Sequence, residues 1–194
     1  MPKTANTLNH IKIQGDADFS TRWVNDFVRI AGHWESFAEK HNAQITGLIT
    51  PYGFECAIKG VTDEFSCFEL KARKKLQNVQ AGMASKVSPY STVLTFCAAR
   101  DERSERGFVV RKSSIIRQVI AKIFGYRNGA NSNELQVYYK PGEQPEVSNS
   151  DLNHLMGLTQ LDKRGNTLKM KALSLPETDD DIRNWFDTLT RISR

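Results

Sequence analysis

Long hydrophobic runs are missing from this chain of 194 residues. No stretch approaches the roughly eighteen consecutive apolar residues that a membrane-spanning helix requires. The first seven residues, from Met1 to Thr7, are polar and lack the apolar core of a secretory signal. We therefore expect a cytoplasmic protein that has no membrane partner.

Cysteine is scarce and unevenly spaced. The chain has three cysteines, Cys56, Cys67 and Cys97, with no C-x-x-C pair among them. An odd number at wide spacing does not indicate a disulfide framework or a zinc site. We expect buried free thiols in a reducing compartment, because unpaired cysteine is among the residues most often buried.

The common catalytic and nucleotide-binding motifs are also missing. The sequence contains neither G-x-G-x-x-G nor G-x-x-x-x-G-K-[ST], and neither G-x-S-x-G nor H-E-x-x-H. We assign the acidic run from Glu177 to Asp181 to the first turn of a helix, where the helix dipole favours carboxylates, and not to a metal site. These observations favour a non-enzymatic protein with no cofactor, no metal and no catalytic residue.

What the chain does have is an aromatic stripe within residues 16–42. Its members recur at steps of three or four residues and fall on one arc of a helix: Phe19, Trp23, Phe27, Ile30, Trp34 and Phe37. So wide an apolar face must be covered by other elements. We predict that this helix, which Asn42 would end, is the main inward-facing helix of the fold.

The N-terminal half shows a recognisable order of elements. Alternation at 9–14, β-rich runs at 44–50 and 54–61 around a turn at Pro51, and an apolar run at 92–99 predict strands. Helical spacing after Thr62 predicts a second helix with Lys71, Lys74 and Lys75 on its solvent side; its apolar members are Phe65, Phe68, Ala72, Leu76, Val79 and Met83. The resulting order, βαββαβ, is ferredoxin-like.

The second half repeats a similar order. Strands are predicted at 108–112, 134–140 and 166–175, a short helix at 149 or 150, and a last helix after Pro176 with Ile182, Trp185, Phe186, Leu189 and Ile192 inward. A third helix, from Ser113 or Ser114 to Gly125, is expected to bury its apolar residues Ile115, Ile116, Val119, Ile120, Ile123 and Phe124.

These elements predict an α+β fold, an antiparallel sheet with helices packed mainly on one face. Residues 1–99 would form the ferredoxin-like unit, and residues 100–194 a second α+β unit, a related βα unit that packs against the first and continues the sheet. The alternative is that the two halves form one single domain.

Positive charge is concentrated in the middle of the chain. Residues 62–127 carry thirteen lysines and arginines against six acidic residues, an excess of +7, whereas the whole chain carries +5 and the remainder therefore −2. A polyanion would bind there. We predict a non-enzymatic nucleic-acid-binding or nucleoprotein-associated protein that contacts the phosphates of DNA or RNA through Lys71, Lys74, Lys75, Arg100, Arg103, Arg106, Arg111 and Lys112.

Two other functions remain open. Carboxylates interleaved with the loop arginines, such as Asp101 and Glu105, would weaken a phosphate site, and the basic segment could instead dock on an acidic protein surface. The chain would then be an interaction module, an adaptor or an inhibitor of the kind that mobile elements encode. The third is a small metal-independent ribonuclease that uses His33 or His41 with Tyr138 or Tyr139.

Overall fold

A single ten-stranded sheet runs through the part of the chain that the structure describes. The structure is a computed structural model, and it describes residues 8–14, 22–76, 90–101, 107–132 and 134–194. The elements are β1 (Ile11–Ile13), α1 (Arg22–Lys40), β2 (Gln44–Thr50), β3 (Gly53–Gly60), β4 (Cys67–Leu76), β5 (Tyr90–Ala99), β6 (Phe108–Lys112), α2 (Ile115–Ile123), β7 (Arg127–Ser132), β8 (Leu135–Tyr139), α3 (Asn149–His154), β9 (Leu158–Arg164), β10 (Thr167–Ala172) and α4 (Asp179–Ser193).

The strand order joins the two halves of the chain. It is β1-β2-β3-β4-β5-β10-β9-β6-β8-β7, and all neighbours are antiparallel except β1 and β2, which are parallel. Strand β10, from the end of the chain, pairs with β5 of the N-terminal half over six residues. The prediction of an α+β fold is thus confirmed: the described ranges contain a single, mostly antiparallel sheet and four helices.

Helix α1 confirms the prediction from the aromatic stripe. Phe27, Ile30, Trp34 and Phe37 are all buried, and α1 packs on β2 and β3. The helix ends at Lys40, and Asn42, which was expected to end it, follows in a turn with a φ of 49°, in the left-handed region that asparagine tolerates. Phe19, the first member of the stripe, lies outside the described residues.

Helix α4 packs beside α1 on the same side of the sheet. Its five predicted inward residues, from Ile182 to Ile192, are all buried. Trp34 of α1 donates its indole N–H to the carbonyl oxygen of Pro176 at 3.1 Å, and its ring meets that of Trp185 edge-on at 6.3 Å. Thr178 caps the helix by accepting the amide of Asp181, so the acidic run occupies the first turn, where the helix dipole favours it.

The second predicted helix is wrong in its described part, which is strand β4. Phe68, Leu70 and Ala72 are buried, whereas Lys71 and Arg73, each of which directly follows a buried residue, are exposed. This alternation is the period of two that a strand shows. Phe68, Ala72 and Leu76 also fit a helical step of four, so the sequence satisfied both periods. Pairing with β3 on one side and β5 on the other decided in favour of the strand. The ferredoxin-like arrangement is therefore not confirmed.

Helix α2 forms where it was predicted but does not bury its apolar residues. Ser114 caps its start, and Gly125 follows its end with a φ of 73°. Six apolar residues that were expected in the core are exposed: Ile115, Ile116, Val119, Ile120, Ile123 and Phe124. Ala121 is buried in their place. Like the other helices of the described residues, α2 does not have the length and apolarity needed to cross a lipid bilayer.

The cysteines differ from the expectation in one respect. All three are free, but only Cys56 is buried, while Cys67 and Cys97 are exposed. Cys67 and Cys97 lie on β4 and β5 at positions that point away from the core, because their neighbours Phe68, Phe96 and Ala98 take the inward positions.

Candidate functional site

One face of the sheet lies opposite α1 and α4, and we call its part on β3, β4, β5, β10 and β9 the open face. Side chains alternate between faces along each strand, and the registers align the outward residues of neighbouring strands. Seven basic residues occupy outward positions of the open face: Lys59, Lys71, Arg73, Lys75, Arg164, Lys169 and Lys171. Three acidic residues accompany them, Glu55, Glu69 and Asp162, so these groups carry a net charge of +4.

The structure divides the basic residues that the sequence predicted as one site. Lys71 and Lys75 lie on the open face, and Arg111 of β6 extends it next to β9. Arg103 and Arg106 fall outside the described residues. The three others, Lys74, Arg100 and Lys112, lie elsewhere.

Lys74 points to the opposite face of the sheet. Its ammonium group pairs with Glu177 and lies 4.7 Å from the centre of the Tyr90 ring. Arg100 pairs with Glu64 at 3.8 Å, at the end of β5, and Lys112 pairs with Glu134 at 3.6 Å. The six described members of the predicted set therefore do not form a single cluster: Lys71, Lys75 and Arg111 lie on or beside the open face, and the other three lie elsewhere.

Glu55 lies between two cations of the open face. Its Oε1 atom is 2.9 Å from Nε of Arg73 and 3.3 Å from Nζ of Lys75. All three side chains are about half exposed, so water screens the attraction. One carboxylate cannot neutralise two cations, and the group keeps a charge of +1.

Glu69 of β4 also lies between two cations of the open face. Its two carboxylate oxygens lie 3.0 Å from Nζ of Lys71 and 3.2 Å from Nζ of Lys59. Hydrogen bonds from Lys71, and then from Lys59, lower the pKa of this carboxyl below its ordinary value. Glu69 is thus ionised at neutral pH, and this group also keeps a charge of +1.

Lys169 and Lys171 are the exposed cations of β10. Across β5 they face Cys97 and Thr95, and across β9 they face Asp162 and Gln160. No carboxylate of the described residues lies within ion-pair distance of either ammonium group. The two lysines can therefore reach a ligand without first breaking an ion pair with a described residue.

Asp162, the acidic residue nearest to these lysines, is held by Arg111. The guanidinium donates from Nη2 to Oδ2 at 3.0 Å, and Nη1 lies 2.7 Å from Oδ1. One hydrogen bond and one close ion-pair contact thus hold the carboxylate and neutralise its charge. Arg111, which was predicted to contact phosphate, is thus largely occupied within the protein.

Shallow clefts lie on the open face, and neither contains an aromatic ring. One, of about 480 Å³, runs over β2 to β5, and a second, of about 330 Å³, lies between β9 and β10. The first is lined by Thr46, Gly47, Leu48, Glu55, Cys56, Ala57, Lys71, Ala72, Arg73, Val93 and Thr95, and the second by Asp162, Arg164, Thr167 and Lys169. Bases stack on aromatic rings or on arginine guanidinium groups, and the two clefts offer only Arg73 and Arg164 for this purpose. The chemistry of this face is therefore suited to phosphate groups.

The histidines and tyrosines of the ribonuclease hypothesis are not brought together. His33 lies on α1 and His41 directly follows that helix, which packs on β2 and β3, whereas Tyr138 and Tyr139 belong to β8. Six strand spacings separate β3 from β8, roughly 29 Å. His33 instead meets Oδ1 of Asp179 through Nδ1 at 3.0 Å. Proton transfer between such distant groups cannot serve one ribose.

His41 is held among aromatic rings at the end of α1. Its ring lies 4.5 Å from that of Phe37 and 5.3 Å from that of Phe186. Burial lowers the pKa of His41 below its ordinary value, Asp187 opposes this shift and Lys40 adds to it. Burial therefore favours the neutral imidazole at this position.

No site with three or more metal-ligating side chains occurs within the described ranges of the chain. The acidic residues at the start of α4 are engaged otherwise: Asp179 with His33, Asp180 with Arg183, and Asp181 with Thr178.

Comparison with known proteins finds no family model, no curated protein and no solved structure with a significant match to this chain. The function must therefore be argued from the side chains of the chain itself.

The sequence did contain a signal for the cations that were missed. Lys169 and Lys171 alternate with the apolar residues Leu168, Met170 and Ala172, which predicts that both lysines share the outward face of one strand. The alternation does not indicate which strand pairs with this one in the sheet. Only the pairing of β10 with β5 places these lysines beside Lys71 and Arg73 of β4.

Proposed function

We propose that the chain is a non-enzymatic, cytoplasmic nucleic-acid-binding or nucleoprotein-associated protein, and that the open face contacts the phosphate backbone. The supporting observation is the pair of exposed lysines on β10, Lys169 and Lys171, which no described carboxylate neutralises. They stand one strand away from the residues of β4 that carry a further excess of positive charge.

The proposed contact is electrostatic and independent of base sequence. Lysine ammonium groups bind phosphates as point charges, and each neutralised phosphate releases condensed counterions from the nucleic acid. Because no outward strand residue described on the open face is aromatic, the bases need not be unstacked. Duplex and single strands should therefore both bind, with little preference among sequences.

Removing the two lysines tests this proposal. The Lys169→Gln/Lys171→Gln variant should bind labelled nucleic acid more weakly, and the slope of log affinity against log salt should become shallower by about 2, one for each lost phosphate contact. Fluorescence anisotropy titrations at several salt concentrations measure both quantities. Because both side chains are exposed, the fold should not change.

A matched control is offered by Lys112 and Lys140. Both are exposed and neither belongs to the open face, so the Lys112→Gln/Lys140→Gln variant loses the same charge elsewhere. We expect its salt slope to equal that of the unaltered chain. Equal losses in the two double variants would show that net charge alone matters, and would contradict a binding role for the open face.

An acidic protein surface is the second candidate ligand. Glu55 and Glu69 show that the cations of this face accept carboxylate partners in the geometry observed. An interaction module of this kind would retain no nucleic acid at moderate salt, and would form one stable complex with a protein of its host. The two possibilities are distinguished by the ratio of absorbance at 260 and 280 nm of the purified protein, before and after a high-salt wash.

A further inference from the structure

Helix α2 exposes an apolar surface that the rest of the described chain does not cover. Its six large apolar side chains are between 47% and 81% exposed: Ile115, Ile116, Val119, Ile120, Ile123 and Phe124. Ala121 is the buried residue of the helix, and together with Ile120, Phe124, Val109 and Tyr138 it lines an apolar cleft of about 200 Å³ between α2 and the sheet. We call these six side chains the α2 patch.

The size of the α2 patch is that of half an ordinary protein interface. With roughly 200 Å² for a fully exposed large apolar side chain, the exposed fractions amount to roughly 800 Å². Monomeric proteins rarely expose an apolar patch of this size, and a standard interface takes about 800 Å² from each partner. If a second apolar surface of equal area packed on the α2 patch, the two together would bury about the area of one standard interface.

The arrangement of the side chains is suited to packing against a copy of itself. Ile115, Val119 and Ile123 are spaced by four and form one ridge, and Ile116, Ile120 and Phe124 form a second beside it. Ridges spaced in this way interdigitate with the same ridges of another helix. Val119 is the central residue of the nine in α2, so a two-fold axis placed there pairs each ridge with its equivalent.

The charges of α2 lie outside the patch and stay at its rim. Arg117 and Lys122, the two charged residues of the helix, occupy opposite flanks of the apolar arc. A two-fold axis brings like charges together on each flank, where they remain hydrated and weakly repulsive. Added salt screens this repulsion, so self-association should strengthen with salt, whereas phosphate binding weakens.

We propose that the chain forms a two-fold symmetric dimer in which the α2 patch of one copy packs against the α2 patch of the other. The area, the self-complementary ridges and the rim position of the charges together carry this inference. It does not depend on the charge of the open face.

Concentration-dependent mass measurement tests the dimer. Sedimentation velocity of the unaltered chain, from micromolar to submillimolar concentration, should show a monomer–dimer equilibrium that shifts to dimer as salt rises. In the Ile115→Glu/Ile123→Glu variant the dissociation constant should rise at least about a hundredfold, since each substitution is made twice per interface. The Val61→Glu/Met156→Glu variant changes exposed apolar residues outside α2, and it should dimerise like the unaltered chain.

A disulfide cross-link gives a second test of the dimer, and its result does not depend on whether the glutamate variants fold. With Cys67 and Cys97 replaced by serine, the Val119→Cys variant should give a covalent dimer on mild oxidation, because the two-fold axis brings the equivalent positions together. A chain that stays monomeric at all concentrations would overturn the proposal. So would a dimer that is unaffected by Ile115→Glu/Ile123→Glu, or a monomer that uses the α2 patch only on anionic vesicles or on a different protein.

Discussion

Lys71 and Lys171 lie on the same face of the sheet, in register with Thr95 of the strand between them. Neighbouring strands are about 4.8 Å apart, so the backbones of the two lysines are separated by roughly 10 Å. The residues are one hundred positions apart in the sequence. The sheet thus brings together lysines that are far apart in the sequence, and their positive potentials add.

The carboxylate of Glu35 is expected to anchor strand β1. Buried on α1, it accepts the backbone N–H groups of Asn9, His10 and Ile11 at distances of 2.7 to 3.1 Å. Glu35→Ala leaves these donors without a charged acceptor, and should lower the free energy of unfolding by about 2 to 4 kcal/mol. Urea unfolding measures this loss, and hydrogen exchange should show faster exchange of the three amides.

Glu39, an exposed residue of the same helix, provides the control for Glu35. Glu39→Ala should cost less than about 1 kcal/mol, as is usual at exposed sites. Equal effects of the two substitutions on urea unfolding would show that Glu35 does not anchor β1.

The three cysteines should differ in reactivity. Burial raises the pKa of the Cys56 thiol to about 12, so at mildly alkaline pH almost none of it is the reactive thiolate. Cys67 and Cys97 are exposed on the open face. A thiol-specific chromogenic reagent should therefore modify two cysteines in the native protein and all three after denaturation.

The variant Cys67→Ser/Cys97→Ser isolates the buried thiol. We expect it to be unreactive until it is unfolded. Rapid modification of Cys56 in this variant under native conditions would contradict the burial that the structure assigns to it.

Protonation of His41 should destabilise the fold. Its pKa is lowered in the folded state, so the neutral form is bound more tightly by the fold than the charged form. The contribution of His41 to stability is complete above its unfolded pKa of 6.5, and it is lost as the pH falls through the lower folded value. His41→Gln should make the free energy of unfolding fall less steeply as the pH is lowered below neutrality.

His154 is exposed and serves as the comparison for His41. At neutral pH the substitution His154→Gln should change the free energy of unfolding in urea by less than about 0.5 kcal/mol, as is usual at exposed sites. If His41→Gln leaves the pH dependence of the free energy of unfolding unchanged, burial does not lower the pKa of His41.

The fold could be predicted from the sequence where the spacing of the apolar residues fitted only a helix or only a strand. The stripe of α1 and the buried residues of α4 repeat only at helical steps, and both helices formed as expected. In β4 the residues Phe68, Ala72 and Leu76 satisfied both periods, and the strand formed because neighbouring strands pair with both of its edges.

Other elements lacked a pattern that could be detected. Strand β7 has the sequence Arg-Asn-Gly-Ala-Asn-Ser and contains no large apolar residue. In β9 the alternation is interrupted where β10 shifts register between Lys171 and Ala172. Helix α2 was predicted correctly, but an apolar face can be covered by another molecule as well as by its own chain, and the pattern does not distinguish the two.

The candidate site could be predicted only in part, for a related reason. Lys71 and Lys75 were identified from local charge, but their partners on β10 depend on a strand order that joins distant segments. Lys74 was grouped with them because a helix was expected. In a strand, adjacent residues point to opposite faces, so Lys74 lies on the side of Glu177 and Tyr90.

The salt dependence of nucleic-acid binding by the unaltered chain tests the central claim most directly. The charged groups of the open face leave four cations in excess of the carboxylates, so log affinity should fall with log salt with a slope of about −3 to −4. Fluorescence anisotropy titration of a labelled duplex at several salt concentrations gives this slope. A slope near zero, or no binding at low salt, would contradict the account.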